Sequence, residues 1–163
     1  KQMGNLKLTS SSFEDGGEIP RECGYKNGNE VPHLSVHEYP DGTKSLALIM
    51  DDPDAKAAVG KVWVHWVVWN IHPWEQVGSG DFSEDLICTH AIEGTTDFGE
   101  VGYGGPAPPD KRHTYVFKLY ALDCELDLPE SVSFSSLCTK ADVEKAMKGH
   151  IIEQTTLTGT YAP

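Results

Sequence analysis

The sequence predicts a mainly β protein with little helix, and three observations carry that prediction. Short runs of branched and aromatic residues are divided by clusters of Gly, Pro and Asp. One of these runs, KVWVHWVVWNI (61–71), is apolar on both faces, as a strand covered on two sides must be. A single stretch carries a complete helix signature. In chain order, VPHLSVHEYPDG reads as extended, with Pro near both ends, and TKSLALIM (43–50) as a strand ending at the turn-forming DDPDA. The run 61–71 follows, and HTYVFKLYAL (113–122) is a third strong strand. Between these two lies EGTTDFGEVGYGGPAPPDKR, an irregular stretch of the length that compact domains keep for function or mobility. Thr139 and Asp142 have capping-box spacing ahead of KADVEKAMK, and Gly149 is the expected stop. The tail HIIEQTTLTGTY returns to Thr-rich strand composition, so the fold closes by antiparallel pairing.

The chain has 163 residues and reads as one domain, 1–163, without internal repeats. Thirteen basic against twenty-five acidic residues give a net charge of −12. That balance argues against a general nucleic-acid or anionic-membrane surface, yet a few local donors still suffice for a small anion. No apolar run approaches the roughly 18 residues of a membrane span. The amino-terminal KQMGNLKLTSS is polar and unlike a signal peptide, which favours the cytoplasm. Its lack of an initial Met allows a processed start and leaves export open. Cys23, Cys88, Cys124 and Cys138 are far apart and form no C-x-x-C pair, so reduced thiols are expected and a structural zinc is not.

Residues two apart on a strand share a face. Trp63, His65, Val67 and Trp69 then lie together, opposite Val62, Val64, Trp66 and Val68. On the third strand His113, Tyr115, Phe117 and Leu119 share a face. Each strand therefore presents a histidine with an aromatic two residues away. If the two strands are neighbours, Trp63, His65, His113 and Tyr115 line one pocket, a receptor for a small polar group with an apolar appendage. An isolated histidine in an apolar strand is otherwise a core residue held by one hydrogen bond. Asp51, Asp52 and Asp54 do not match a calcium loop, and a turn accounts for them. Asp52 or Asp54 together with His65 and His113 would suit zinc only if the fold assembled them. His33 and His37, on an extended segment, stand about 13 Å apart and cannot share an ion. GYGGPAPP lacks phosphate-loop spacing and reads as a stiff loop whose backbone can approach a neighbour closely. No nucleophile elbow or catalytic cysteine context is present.

MDDPDA, VWVHWVVWNI, GTTDFGEVGYGGPAPP and RHTYVFKLYALD occur in an order and spacing that resemble the phosphatidylethanolamine-binding proteins, in particular their prokaryotic-type, Raf kinase inhibitor-like branch. The resemblance runs from VPHLSV to GTY. It implies a large central antiparallel sheet, a smaller sheet, one or two short helices, and a cavity that accepts phosphate or phosphoryl headgroups. It assigns to that cavity Asp52, Asp54, Trp63, His65, Pro108, Pro109, His113 and Tyr115. The chain departs from the family pattern at Thr114 (usually Arg), Lys56 (usually Pro) and Thr96 (usually Asn), and it ends without the helical extension of animal members, which predicts a more open site. The expected function is a non-enzymatic binding or regulatory protein without cofactor or metal, monomeric or homodimeric. Its partner would be a small anion or phosphoryl headgroup, with a protein target such as a protease a further possibility. The alternatives are a serine protease inhibitor acting through surface loops and an Asp/His hydrolase. His113, beside the polar PDKR, is expected to tolerate substitution better than His65.

Overall fold

The computed structural model describes residues 4–72, 79–81, 91–130 and 137–163. Nine strands and two α-helices occur among the described residues: β1 Lys7–Thr9, β2 Gly17–Glu18, β3 Ser35–His37, β4 Ser45–Asp52, α1 Ala55–Val59, β5 Trp63–Ile71, β6 Ser79–Asp81, β7 Ile92–Glu93, β8 His113–Leu122, α2 Lys140–Met147 and β9 Ile151–Tyr161. A six-stranded sheet has the order β2-β9-β8-β4-β5-β7, and a three-stranded sheet the order β1-β3-β6. Pairing is antiparallel throughout except for the short parallel contact of β2 with β9. The mainly β fold class with its large and small sheets is therefore present.

Alternation of side chains splits the core of the large sheet into two layers. Leu46, Leu48, Met50, Phe117 and Leu119 project toward the small sheet, meeting Leu8, Leu34 and Val36. Ala47, Ile49, Val67, Trp69 and Leu122 project the other way and are covered by Val143 and Met147 of α2. That helix starts as its sequence predicts. The Thr139 N–H donates to Asp142 Oδ2 at 2.8 Å within a capping box, and Gly149 takes φ +86° just beyond the helix end.

Strand β4 runs two residues further than expected, to Asp52, before Pro53 ends the ladder. The two carboxylates stay in the strand because each has a charged partner. Asp51, 1% exposed, accepts from Lys118 Nζ at 2.9 Å and Lys140 Nζ at 2.8 Å, fastening β8 and α2 to the central strand.

Strand β5 does not keep simple alternation. Met50 pairs with Trp66 and Asp51 with Val64, so His65 is the extra residue of a β-bulge. The phase shifts by one: Trp66 and Val68 join the layer facing the small sheet, whereas Val67 and Trp69 face α2. The expected grouping of Trp63 and His65 with Val67 and Trp69 is thus corrected.

The Asp51 triad gives a stability test. Replacing both Lys118 and Lys140 by Met strands a buried carboxylate, and urea denaturation is expected to show a loss of about 3–5 kcal/mol. Adding Asp51→Leu to the pair should recover most of that loss. A triple variant as unstable as the double would show that the carboxylate's missing partners are not the cause.

Candidate functional site

At the end of the large sheet where β4 stops and β8 starts, a cavity of about 220 Å³ is lined by Asp52, Ala55, Val59, Trp63, His65, Phe98, Ala107, Pro109, His113 and Tyr115. Three neighbouring strands, the short helix α1 and the loop 94–112 contribute. Strand β5 is not adjacent to β8, because β4 lies between them and brings Asp52 in from the middle. The sequence expectation that the two histidine strands are neighbours is corrected in this way, and the side chains converge nonetheless. His65 meets Tyr115 edge-on at a centroid distance of 5.1 Å, and Tyr115 lies 6.4 Å from His113.

His113 is fully buried and carries a carboxylate on each ring nitrogen. Nδ1 donates to Asp52 Oδ2 at 2.6 Å and Nε2 to Asp110 Oδ1 at 2.7 Å. Burial by itself pulls the imidazole pKa down, but the hydrogen bonds and charges of Asp52 and Asp110 outweigh it, and the net shift is upward. His113 is therefore held toward imidazolium, between two anions.

His65 goes the other way. Burial lowers its pKa against the opposing Gly104 carbonyl and Asp52 charge, so the ring stays neutral. Its Nδ1 sits 2.7 Å from the Gly104 carbonyl oxygen, which can only accept, so the proton is on Nδ1 and Nε2 is an acceptor. The imidazole persists in an apolar strand because the bulge turns it out of the core and a loop carbonyl satisfies it.

Tyr115 completes the floor. Its hydroxyl is buried and makes no hydrogen bond of ordinary geometry. Burial first, and then the nearby Asp52 charge, push the phenol pKa well up, so it remains a donor. One wall comes from the loop 94–112. Asp97 accepts from the Val64 N–H at 2.7 Å and from Lys61 Nζ at 2.8 Å, which pins this loop to β5 beside the bulge. Phe98 then stands edge-on to both Trp63 and His65, at 5.7 and 5.3 Å, and stacks on Tyr25 at 4.0 Å. Gly104 must be glycine here, since a Cβ would stand 2.5 Å from the Phe98 ring.

Comparison with known proteins meets this geometry from outside. A family model described as Phosphatidylethanolamine-binding protein matches residues 9–162. The chain belongs to the phosphatidylethanolamine-binding protein family. A UPF0098 protein of Methanothermobacter thermautotrophicus is 40% identical over 158 residues, covering 96% of this chain and 98% of that one. A Chlamydia trachomatis structure, CT736, described as a homolog of this family, superimposes with a TM-score of 0.81 at 36% identity and 98% coverage of both chains. Escherichia coli YbcL, described as a new member of the mammalian PEBP family, gives 0.76 at 30% identity, covering 96% of this chain and 97% of that one.

Of the residues that resemblance to the phosphatidylethanolamine-binding proteins picks out, Asp52, Trp63, His65, Pro109, His113 and Tyr115 line the cavity. Asp54 does not. Its Oδ2 accepts the Thr114 N–H at 2.8 Å, and its own N–H donates to Asp52 Oδ1 at 3.0 Å, so it braces the start of β8 from outside the wall. Pro108 lines a neighbouring groove with Arg21, Lys26 and Tyr161, which Ala107 and Pro109 border as well. Thr96, where the family usually has Asn, keeps the loop tied. Its hydroxyl donates to the Glu100 carbonyl at 3.1 Å and accepts from the Phe98 N–H at 3.2 Å. The sequence reading missed Phe98 and Asp110. TTDFG offered the first as an aromatic in a tight turn, and D-K-R-H offered the second as an acid three residues before a histidine. Cys23 and Cys124 are free thiols, whereas Cys88 lies outside the described residues.

The expected tolerance of His113 is also corrected, since the ring is wholly buried and ion-paired. His113→Ala leaves Asp52 without its partner and is expected to cost about 3–5 kcal/mol in urea denaturation. A loss below about 1 kcal/mol would contradict the buried pair.

The pair also predicts a pH dependence. A histidine whose pKa is raised on folding contributes fully below its unfolded value near 6.5, and that contribution fades as pH rises through the higher folded value. The stability gap between the parent chain and Asp52→Asn should be widest at about pH 6 and narrow toward about pH 9. A gap constant over that range would mean that the ring carries no extra proton when folded.

Proposed function

We propose that this chain is a single-domain, non-enzymatic binding protein whose cavity takes a small phosphoryl anion: phosphate, or a phosphoryl headgroup with an organic substituent. The observation that carries this reading is the Tyr115 hydroxyl, buried near Asp52 without a hydrogen bond of ordinary geometry, beside the His113 imidazolium. A buried donor of this kind calls for an acceptor, and a phosphoryl oxygen supplies one. Neutral His65 offers Nε2 as an acceptor, which suits the P–OH of a partly protonated phosphoryl group. Ala55, Val59, Ala107 and Pro109, with Trp63 and Phe98, give the cavity an apolar wall for the organic substituent.

Charge sets the condition for binding. Two carboxylates around one imidazolium leave the cluster with a net negative charge, which repels an anion. Asp52 is buried and cannot leave. Asp110 has a side chain 42% exposed and sits on a loop, so it can turn to solvent. The remaining Asp52–His113 pair is neutral overall, and Nε2–H is released toward the ligand. Asp110 thus competes with the ligand for one imidazole N–H.

Calorimetric titration with phosphorylethanolamine and with inorganic phosphate tests this reading. Tyr115→Phe removes one donor and should weaken binding about tenfold. Asp110→Asn removes the competing charge and should tighten binding about two- to fivefold. Tighter binding of phosphorylethanolamine than of phosphate supports a headgroup, and equal affinities support the bare anion. No binding of either by the parent chain, or weaker binding by Asp110→Asn, would overturn the proposal.

A further inference from the structure

Ten residues along β8 from His113, about 30 Å away, the strand ends in a second group of reactive side chains. Asp123 and Cys124 follow the strand, and His150 precedes β9. One ligand-type atom of each, a carboxylate oxygen, the thiol sulfur and an imidazole nitrogen, lie within 4.8 Å of one another. None of the three lines the cavity. We propose that Asp123, Cys124 and His150 form a binding site for a divalent transition-metal ion of the zinc class.

The backbone brings the donors together without help from their side chains. The Asp123 N–H donates to the His150 carbonyl at 3.0 Å, and the His150 N–H donates to the Met147 carbonyl at 2.9 Å. Gly149, at φ +86°, makes the turn that leads into His150. Cys124 is fixed through its carbonyl, which accepts from Ser45 Oγ at 2.6 Å. Two segments 27 residues apart in sequence are thus held in one register, which lowers the entropy lost when an ion binds.

The donor set selects the ion. Thiolate and imidazole favour zinc-like ions over calcium or magnesium, and the carboxylate adds charge. Bonds of about 2.0–2.3 Å in a tetrahedron put ligand atoms roughly 3.3–3.8 Å apart, so separations near the 4.8 Å limit need to close by about an ångström and the 2.8 Å His150–Asp123 contact needs to open slightly. Asp123 and His150 are about half exposed and free to rotate by that much. The His150 Nδ1–Asp123 Oδ1 contact, 2.8 Å, holds these two side chains together, and it gives way when one ion takes both as ligands. Binding joins the ion to the Cys124 sulfur, breaks the S–H bond and releases one proton to solvent.

The test titrates the full, reduced, metal-free chain with Co²⁺ and then displaces it with Zn²⁺. One equivalent of Co²⁺ should produce thiolate-to-cobalt charge-transfer absorption that Zn²⁺ abolishes. Cys124→Ser should remove the band, and His150→Gln should weaken binding at least tenfold. Cys88→Ser should leave both unchanged. Zn²⁺ should also slow alkylation of Cys124 in the unaltered chain, a readout that does not depend on any variant folding. A band that survives Cys124→Ser, a band lost in Cys88→Ser, or alkylation of Cys124 indifferent to Zn²⁺ would each overturn the proposal.

Discussion

Two adjacent carboxylates buried at the end of the central strand are the constraint around which this molecule is arranged. Asp51 and Asp52 are both almost completely shielded from water. Because successive residues on a strand face opposite sides, they present their charges to two different layers. A buried carboxylate without a partner costs several kcal/mol, so each layer has to supply a cation. The layer facing α2 answers with Lys118 and Lys140, and the cavity layer answers with His113. Both Lys118 and His113 come from β8, the immediate neighbour of β4. The requirement thus reaches beyond two side chains: it places β8 beside β4, docks α2 on one face and leaves a charged histidine on the other.

The bulge at His65 solves a different problem. With strict alternation, the residue after His65 would have turned toward α2. The extra residue instead lets His65 and Trp66 lie on the same side, one at the cavity and the other in the core. The indole N–H of Trp66 is then satisfied by Glu93 Oε2 at 2.7 Å, from the short edge strand β7. The same strand segment thereby serves stability and presents a polar ring without breaking the apolar layer. The loop 94–112 completes this arrangement, because Asp97 fastens it to the backbone just before the bulge and Gly104 returns a carbonyl to the imidazole.

Most of the architecture was legible in the sequence, because hydrophobic alternation, Pro53 and the Thr139–Asp142 cap are local signals. The third strand was read to its ends, since His113–Leu122 alternates cleanly and is bounded by polar residues. The phase of β5 was not legible. A continuous apolar run hides a bulge, because every residue suits either face. The site was half legible for a similar reason. Residues on strands follow the period-2 rule, so His113 and Tyr115 were placed together by counting. Phe98 and Asp110 reach the site from loop segments whose direction depends on hydrogen bonds made to distant strands. Asp54 and Pro108 share a motif with genuine wall residues, and adjacency in sequence does not decide which side of a turn or loop a side chain occupies.

The strongly acidic composition and the imidazolium at the cavity floor are consistent with each other. A net charge of −12 sets a repulsive field at long range, but salt screens it over about 10 Å, whereas a buried pair at 2.6 Å is hardly screened. Local chemistry therefore governs the cavity. Asp52 raises the basicity of His113, and that same ring accommodates a second carboxylate from Asp110. An acidic protein can hold a cation in its interior because it surrounds that cation with its own anions. Whatever enters the cavity meets this internal balance before it meets the protein's overall charge. The exposed member of the balance, Asp110, is the one that can be exchanged at low cost, and the buried member, Asp52, is the one the fold cannot release.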